Sequence, residues 1–274
     1  MGQIGFRMVA LLFWNTQQGK VGSLVPLICN QYDVDVVVLA EEERTSEEIF
    51  AGSFGSGSSS YSEYAPVKSK IRFFFRNGSG ILRMVSDADE RKSIREFIPT
   101  AGPACLVAGA HIISKLRTRE SDQYFAARIL KNAVEQAEIA VGHNRTIVIG
   151  DMNMNPFEEG MLAADGLHGM MTKSIVIKQS RRVQGQKHSF FYNPMWSRLG
   201  DESHGPAGTY YHGPGGAISP YWHTFDQALL RPSLVPAYER GFLEVVTQIN
   251  GTDLLSNTNF KQSDHFPIVL RLIF

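Results

Sequence analysis

The chain has 274 residues, with 27 Lys+Arg against 27 Asp+Glu and therefore no formal net charge. With 43 % apolar and 20 % charged residues it falls in the ordinary globular range, which excludes disordered, collagenous and fibrous classes. Zero net charge also argues against coating nucleic acid or anionic lipid by bulk electrostatics, and leaves room for a local basic groove.

In chain order, Met8–Trp14 is an apolar run of strand length. It is too short to span a bilayer and lacks the basic lead and cleavage pattern of a signal peptide. A short helix is predicted at Ser23–Gln31, then a strand at Val34–Leu39 that runs straight into Glu41, Glu42 and Glu43. Ala51–Ser62 reads AGSFGSGSSSYS, the composition of a flexible loop. Ile71–Phe75 and Leu106–Ala110 are predicted strands, the second ending in His111. Asp122–Val141 is the clearest helix, with Phe125, Ile129, Leu130, Ala133, Val134, Ala137, Ala140 and Val141 as its apolar stripe and Ser121 or Asp122 as its cap. The strand Ile147–Ile149 leads into Gly150-Asp151-Met152-Asn153, and Pro156 opens a predicted helix to Ala164. Gly166–Gly200 carries Lys173, Lys178, Arg181, Arg182, Lys187 and Arg198 without one Asp or Glu. Gly205–Gly216 is rich in Gly and Pro, Asp226 follows His223-Thr224-Phe225, and Asp264-His265 precedes a last strand ending at Phe274.

Strand-like runs flank every loop-like segment and no repeat period is visible, so residues 1–274 are read as one domain, mostly β with helices outside. Cys29 and Cys105 stand alone in apolar settings and read as buried free thiols. The expected location is cytoplasmic.

The residues that carry chemistry sit at strand ends: Asn15, Glu41, His111, Asp151, Asn153, Asp226, Asp264 and His265. Polar groups at the ends of buried strands can converge on one edge of a sheet. Carboxylates and amides are hard oxygen ligands that suit Mg2+ or Mn2+ and not zinc. Histidines and an aspartate beside such a cation are the parts needed to activate water against a phosphoester.

The order Trp14-Asn15, Asp35-x-x-x-Leu39-x-Glu41, His111, Gly150-Asp151-x-Asn153-x-x-Pro156, Asp226 and Ser263-Asp264-His265-x-Pro267 resembles the endonuclease/exonuclease/phosphatase superfamily over residues 8–272. The resemblance implies a deoxyribonuclease-like four-layered α/β sandwich, two packed mixed β-sheets flanked by helices. It implies that Glu41 is the principal metal ligand, with Asn15 and Asp264 on the metal side. Asp151 would orient or deprotonate the attacking water, and Asn153 would donate to the phosphate. His265, oriented by Asp226, would be the catalytic imidazole, and His111 would contact the scissile phosphate. Either His265 with Asp226 or Asp151 could take the proton from water. Ala40 stands where the family usually has Gln.

Glu42 and Glu43 are read as surface, and the remaining histidines as structural or surface, His223 being the foremost candidate exception. Tyr210-Tyr211-His212 and Phe190-Phe191-Tyr192 could stack on bases, although aromatics in a β-rich chain are more often core. The resemblance favours a metal-dependent nuclease acting on DNA or RNA, DNA first, with Arg181, Arg182 and Lys187 neutralising backbone phosphates. A phosphatase or phosphodiesterase acting on a small or lipid phosphoester is the alternative. A binding or scaffold member is the remote one, because the motif set is complete.

Overall fold

The computed structural model describes residues 7–19, 21, 23–51, 60–64, 69–115, 118–213, 219–254 and 263–274. Its strands are β1 (Met8–Asn15), β2 (Val36–Ala40), β3 (Tyr61–Glu63), β4 (Ile71–Arg76), β5 (Gly80–Asp89), β6 (Lys92–Pro99) and β7 (Cys105–His111). Then follow β8 (Thr146–Asp151), β9 (Gly169–Met170), β10 (Ser180–Val183), β11 (Gln186–Ser189), β12 (Phe191–Tyr192), β13 (Tyr210–Tyr211) and β14 (Trp222–His223). The last are β15 (Asp226–Leu230), β16 (Phe242–Val245), β17 (Gln248–Ile249), β18 (Thr252–Asp253) and β19 (Ile268–Ile273). The two longest helices are α1 (Leu24–Tyr32) and, after the single turn α2 (Ser46–Ile49), α3 (Glu120–Val141).

Two sheets dominate. One has the order β16-β19-β1-β2-β4-β3 and the other β5-β6-β7-β8-β15-β12-β9. Both are mixed: β1–β2, β7–β8 and β12–β9 are parallel pairs among antiparallel ones. Alternation along each strand explains the layers. Leu11, Phe13, Val36 and Val38 from one sheet meet Val107, Ile147, Ile149 and Ala228 from the other in the central core. Leu12, Trp14, Val37 and Leu39 point the other way, onto Val25 and Ile28 of α1. Leu106, Ala108 and Val148 point onto Ala127, Leu130 and Val134 of α3. The order helix, sheet, sheet, helix is the four-layered sandwich implied by the motif resemblance. Strands covered on both faces have no polar face to show, which is why they read as continuous apolar runs. No helix among the described residues is long and apolar enough to cross a membrane.

Several local expectations are corrected. The stripe of α3 is rotated: Phe125 and Ile129 are exposed, while Ala126, Ala127, Leu130, Val134 and Ala137 are buried. Small residues let the helix lie close on the sheet, so alanine faces inward where size alone would favour phenylalanine. The helix starts earlier, and Asp122 closes its first turn by accepting the Arg119 backbone N–H at 2.9 Å. The helix expected over Pro156–Ala164 is only one turn, Glu159–Leu162, because Ala163 turns to extended backbone at ψ 142°. Glu42 is buried and forked by Arg44, at 2.9 Å from Nε and 2.8 Å from Nη2. Cys29 and Cys105 are buried free thiols, as expected, each pushed up to about 12 by burial. Most of the Ala51–Ser62 stretch and the end of Gly205–Gly216 lie outside the described residues.

Candidate active site

The topology brings the strand ends together on one edge. β1, β2, β7 and β8 deliver Asn15, the residue after Ala40, His111 and Asp151 at their C-terminal ends. The antiparallel β15 starts there with Asp226, and the segment leading into β19 brings Asp264 and His265. The register is direct across three strands: His111 pairs with Asp151, and Asp151 with Asp226. Glu41 and Asn153 leave their strands in left-handed backbone, at φ 53° and 49°. Such conformations are uncommon for residues with a Cβ and recur where function fixes the backbone.

Asp226, fully buried, accepts from His265 Nδ1 at 2.9 and 3.1 Å. That fixes the ring and leaves Nε2 facing Asp151 Oδ2 and Asp264 Oδ1, each at 3.9 Å. Ser263 anchors the turn, with its hydroxyl donating to the Asn15 carbonyl (2.8 Å) and accepting the His265 N–H (3.1 Å). The Trp14 indole donates to the His265 carbonyl at 2.9 Å. Asp151 is held from both sides, by Asn15 Nδ2 at 3.1 Å and by the Asn153 backbone N–H at 2.9 Å. His111 Nε2 stands 3.4 Å from Glu41 Oε1 and 3.7 Å from Asp151 Oδ2.

The electrostatics separate the two imidazoles. Burial pushes His265 down, but Asp226, Asp151 and Asp264 outweigh it and raise it to about 10. Burial raises Asp226 to about 6, with His265 pulling the other way. At neutral pH the pair is imidazolium and carboxylate. His111 is lowered, because its burial outweighs Asp151 and Glu41.

Asn15, Glu41, His111, Asp151, Asn153, Asp264 and His265 line a cavity of about 400 Å³, together with Lys115, Tyr210, His212, His223 and Phe225. The donor set fits a hard divalent cation. Glu41, Asp151 and Asp264 face one cavity where Lys115 is the only lysine or arginine among the described residues, and that is paired with Glu158. Asp151, Asp226 and His265 also offer ligand atoms within 4.8 Å of one another. In that trio His265 Nδ1 is hydrogen-bonded to Asp226 at 2.9 Å, so two of the three ligand atoms are already engaged with each other.

No protein-family model matches the chain, and no curated protein matches it in sequence. Solved structures do match in shape. ANGEL2, a 2',3'-cyclic phosphatase, aligns over 98 % of this chain and 96 % of its own at 15 % identity and TM-score 0.59. An endonuclease/exonuclease/phosphatase family protein from Bacteroides thetaiotaomicron aligns over 98 % and 99 % at 12 % identity and TM-score 0.60. The endonuclease domain of TRAS1, a telomere-specific non-LTR retrotransposon, covers 97 % and 98 % at 9 % identity and TM-score 0.51. The chain has the endonuclease/exonuclease/phosphatase fold.

Within that fold, all eight strand-end residues singled out by motif lie at one edge, and seven of them line the cavity; Asp226 sits just behind it. Two have geometry that refines the expected role. Asn15 Oδ1 accepts the Gln17 N–H at 3.1 Å and its Nδ2 holds Asp151, so it positions that carboxylate. Asn153 Nδ2 donates to the Ile112 carbonyl at 2.8 Å, which takes up one of its two amide hydrogens. The basic stretch is placed elsewhere. Arg181, Arg182 and Lys187 ride the β10–β11 hairpin and do not line the cavity. That hairpin joins β12 beyond the Leu230 end of β15, whereas Asp226 marks the opposite, active end. Arg181 donates to His168 and Arg182 to the Gly185 carbonyl.

Phe190, Phe191 and Tyr192 are core, whereas Tyr210 and His212 reach the cavity. His223 lines it too. Lys115 escaped the sequence reading. Its only signal is position, four residues after His111 in the loop that leads to α3.

Proposed function

We propose that this chain is a divalent-metal-dependent phosphoester hydrolase acting on a nucleotide or nucleic-acid phosphodiester. The observation that carries the reading is the meeting of Asp226, His265, Asp151 and His111, at 2.9 to 3.9 Å, beside the carboxylates of Glu41 and Asp264. Mg2+ or Mn2+ held by Glu41 and Asp264 would supply Lewis-acid charge to a phosphoryl oxygen and acidify bound water. His265, kept cationic by its carboxylates, donates from Nε2 to a phosphoryl oxygen as negative charge builds there. Asp151, held by Asn15 and the Asn153 N–H, is the oxygen base best placed to take the water proton. His111, kept neutral by its burial, turns Nε2 towards the Glu41 and Asp151 carboxylates and Nδ1 towards Arg91 Nη1 at 3.5 Å, and so forms one wall of the site.

The ring wall of Tyr210, His212 and Phe225 supports a base next to the scissile phosphate, and DNA and RNA strands are the first substrates to offer. A small-phosphoester substrate is the second reading, favoured by a cavity of about 400 Å³ that lacks the basic hairpin. The fold occurs in a 2',3'-cyclic phosphatase and in a retrotransposon endonuclease domain, so it accommodates more than one phosphoester chemistry. The experiment is a panel of plasmid, linear duplex, single strands, RNA, cyclic nucleotides and inositol phosphates, assayed with Mg2+, Mn2+ or EDTA. Hydrolysis that needs the cation and disappears in Asp151→Ala is the expected result. No hydrolysis of any member, or full activity in Asp151→Ala, would reject the assignment.

A further inference from the structure

Beside the catalytic groups, the cavity wall carries a second, differently built set of polar atoms. Asn155 Oδ1 accepts the Thr224 backbone N–H at 2.9 Å. A backbone N–H can only donate, so this contact fixes which end of the carboxamide points where. Its Nδ2 then donates to Glu158 Oε1 at 3.1 Å and faces His223 Nδ1 at 3.2 Å. An amide hydrogen needs a lone pair, so His223 Nδ1 is unprotonated and the ring proton sits on Nε2. Phe225 packs on the ring at 4.6 Å between centroids, which fixes its plane. Glu158 completes the frame by accepting the Asn155 N–H at 2.9 Å and pairing with Lys115 Nζ.

The result is a neutral imidazole locked in one tautomer, lining the cavity, whose Nε2–H has no hydrogen-bond partner among the described residues. Burial, helped by Lys115, holds its basicity below the ordinary histidine range, in keeping with the neutral form. Lys115 lines the same cavity and spends one of three ammonium hydrogens on Glu158. Neither group touches the catalytic cluster directly. Among the described residues, the Tyr210 ring stands between His223 and the cluster, 6.1 Å from the His223 centroid and 4.6 Å from that of His265.

We propose that His223 Nε2–H and Lys115 Nζ form a second oxyanion subsite, which binds a non-scissile phosphate of the substrate. The inference rests on the phosphoesterase reading and deepens it. A phosphate suits the pair because its oxygens can meet a fixed neutral donor and a point charge together, which a lone carbonyl acceptor cannot do. Placing the subsite one ring away from His265 means that the substrate carries a phosphate beyond the one being cut.

The test compares two chromogenic esters, thymidine 5'-(4-nitrophenyl phosphate) with and without a 3'-phosphate. The wild-type protein should show the lower KM for the ester with two phosphates. His223→Phe keeps the ring packing and removes the donor. It should raise that KM about 10-fold and change the one-phosphate ester less than twofold. His223→Gln should restore the low KM, and Lys115→Met should behave as His223→Phe. Equal effects on both esters, or no effect of His223→Phe, would overturn the subsite. A separate titration does not depend on turnover. In EDTA, long-range proton–nitrogen spectra should show His223 as the Nε2–H tautomer, with its signals shifting on thymidine 3',5'-bisphosphate and not on thymidine. An Nδ1–H tautomer, or no shift, counts against the subsite even if the protein is an active hydrolase. Conversely, inactivity towards both esters and the whole substrate panel, with the shift intact, would sink the hydrolase reading and leave the anion site standing.

Discussion

Glu41 shows how one backbone angle turns a glutamate at a strand end into the cavity. At φ 53° the chain turns sharply after β2, and the carboxylate swings to 3.4 Å from His111 instead of following Glu42 into its pairing with Arg44. Glu41→Gln keeps the shape and removes the charge. The Mg2+ or Mn2+ concentration for half-maximal hydrolysis should rise about 10-fold or more, with the melting temperature unchanged. An unaltered metal requirement would remove Glu41 from the ligand set. His168 is the opposite case, a histidine with a purely structural part. Its Nδ1–H donates to the Ser189 carbonyl at 3.0 Å, and its Nε2 accepts from Arg181 at 2.9 Å, so the ring must stay neutral. Burial, reinforced by Arg181, pushes it down to about 4. Between pH 6.5 and 4 the unfolded chain therefore binds the proton that the folded chain refuses. The stabilisation is complete above pH 6.5 and is lost as pH falls through 4. Urea unfolding at pH 7 and pH 4.5 should show a smaller acid loss in His168→Gln than in the wild type, by about 1–3 kcal/mol. Identical losses would mean that His168 titrates normally.

At the scale of elements, the parallel contact between β7 and β8 sets the distance from His111 to Asp151. Gly150, one residue before Asp151, lies so close to β7 that an added Cβ would stand 2.0 Å from the Ala110 carbonyl oxygen. That neighbour is backbone and cannot swing away. Gly150→Ala should cost about 3 kcal/mol in denaturant unfolding and lower turnover as well, because the two strands part where the site is built. Normal stability would show that the strands yield at little cost. The glycine of the Gly-Asp-x-Asn motif is thus a packing requirement, and it was legible in the sequence only as part of a pattern. The buried strands were legible for a direct reason. Met8–Trp14 and Val36–Leu39 are covered on both faces, so their composition alone marks them. The phase of α3 was not, since Ala126 and Ala127 face the sheet through closeness of approach, a property of the partner surface. The strand-end residues were legible because each polar group interrupts an apolar run. Lys115 and the Asn155–His223 frame were not, because they depend on a loop and the end of β14 meeting across 68 residues of chain.

For the whole molecule, the zero net charge conceals a segregation. Glu41, Asp151, Asp226 and Asp264 gather at one end of the sandwich, where bound metal and His265 would offset them. The acid-free stretch puts Arg181, Arg182 and Lys187 on a hairpin past the other end of β15. A strand lying across the active edge would not reach that hairpin, so its charges should play no part in holding substrate. The double variant Arg182→Ala/Lys187→Ala leaves Arg181 on His168 and so spares the structural contact. Its kcat/KM on single-stranded DNA, or on whichever nucleic acid the panel identifies, should match the wild type within about twofold. Its salt dependence should match as well, because removing a cation that meets no phosphate releases no counterion. A large fall in kcat/KM with a flatter salt slope would show that substrate wraps round the molecule to the far hairpin, and that the binding surface is far larger than the cavity.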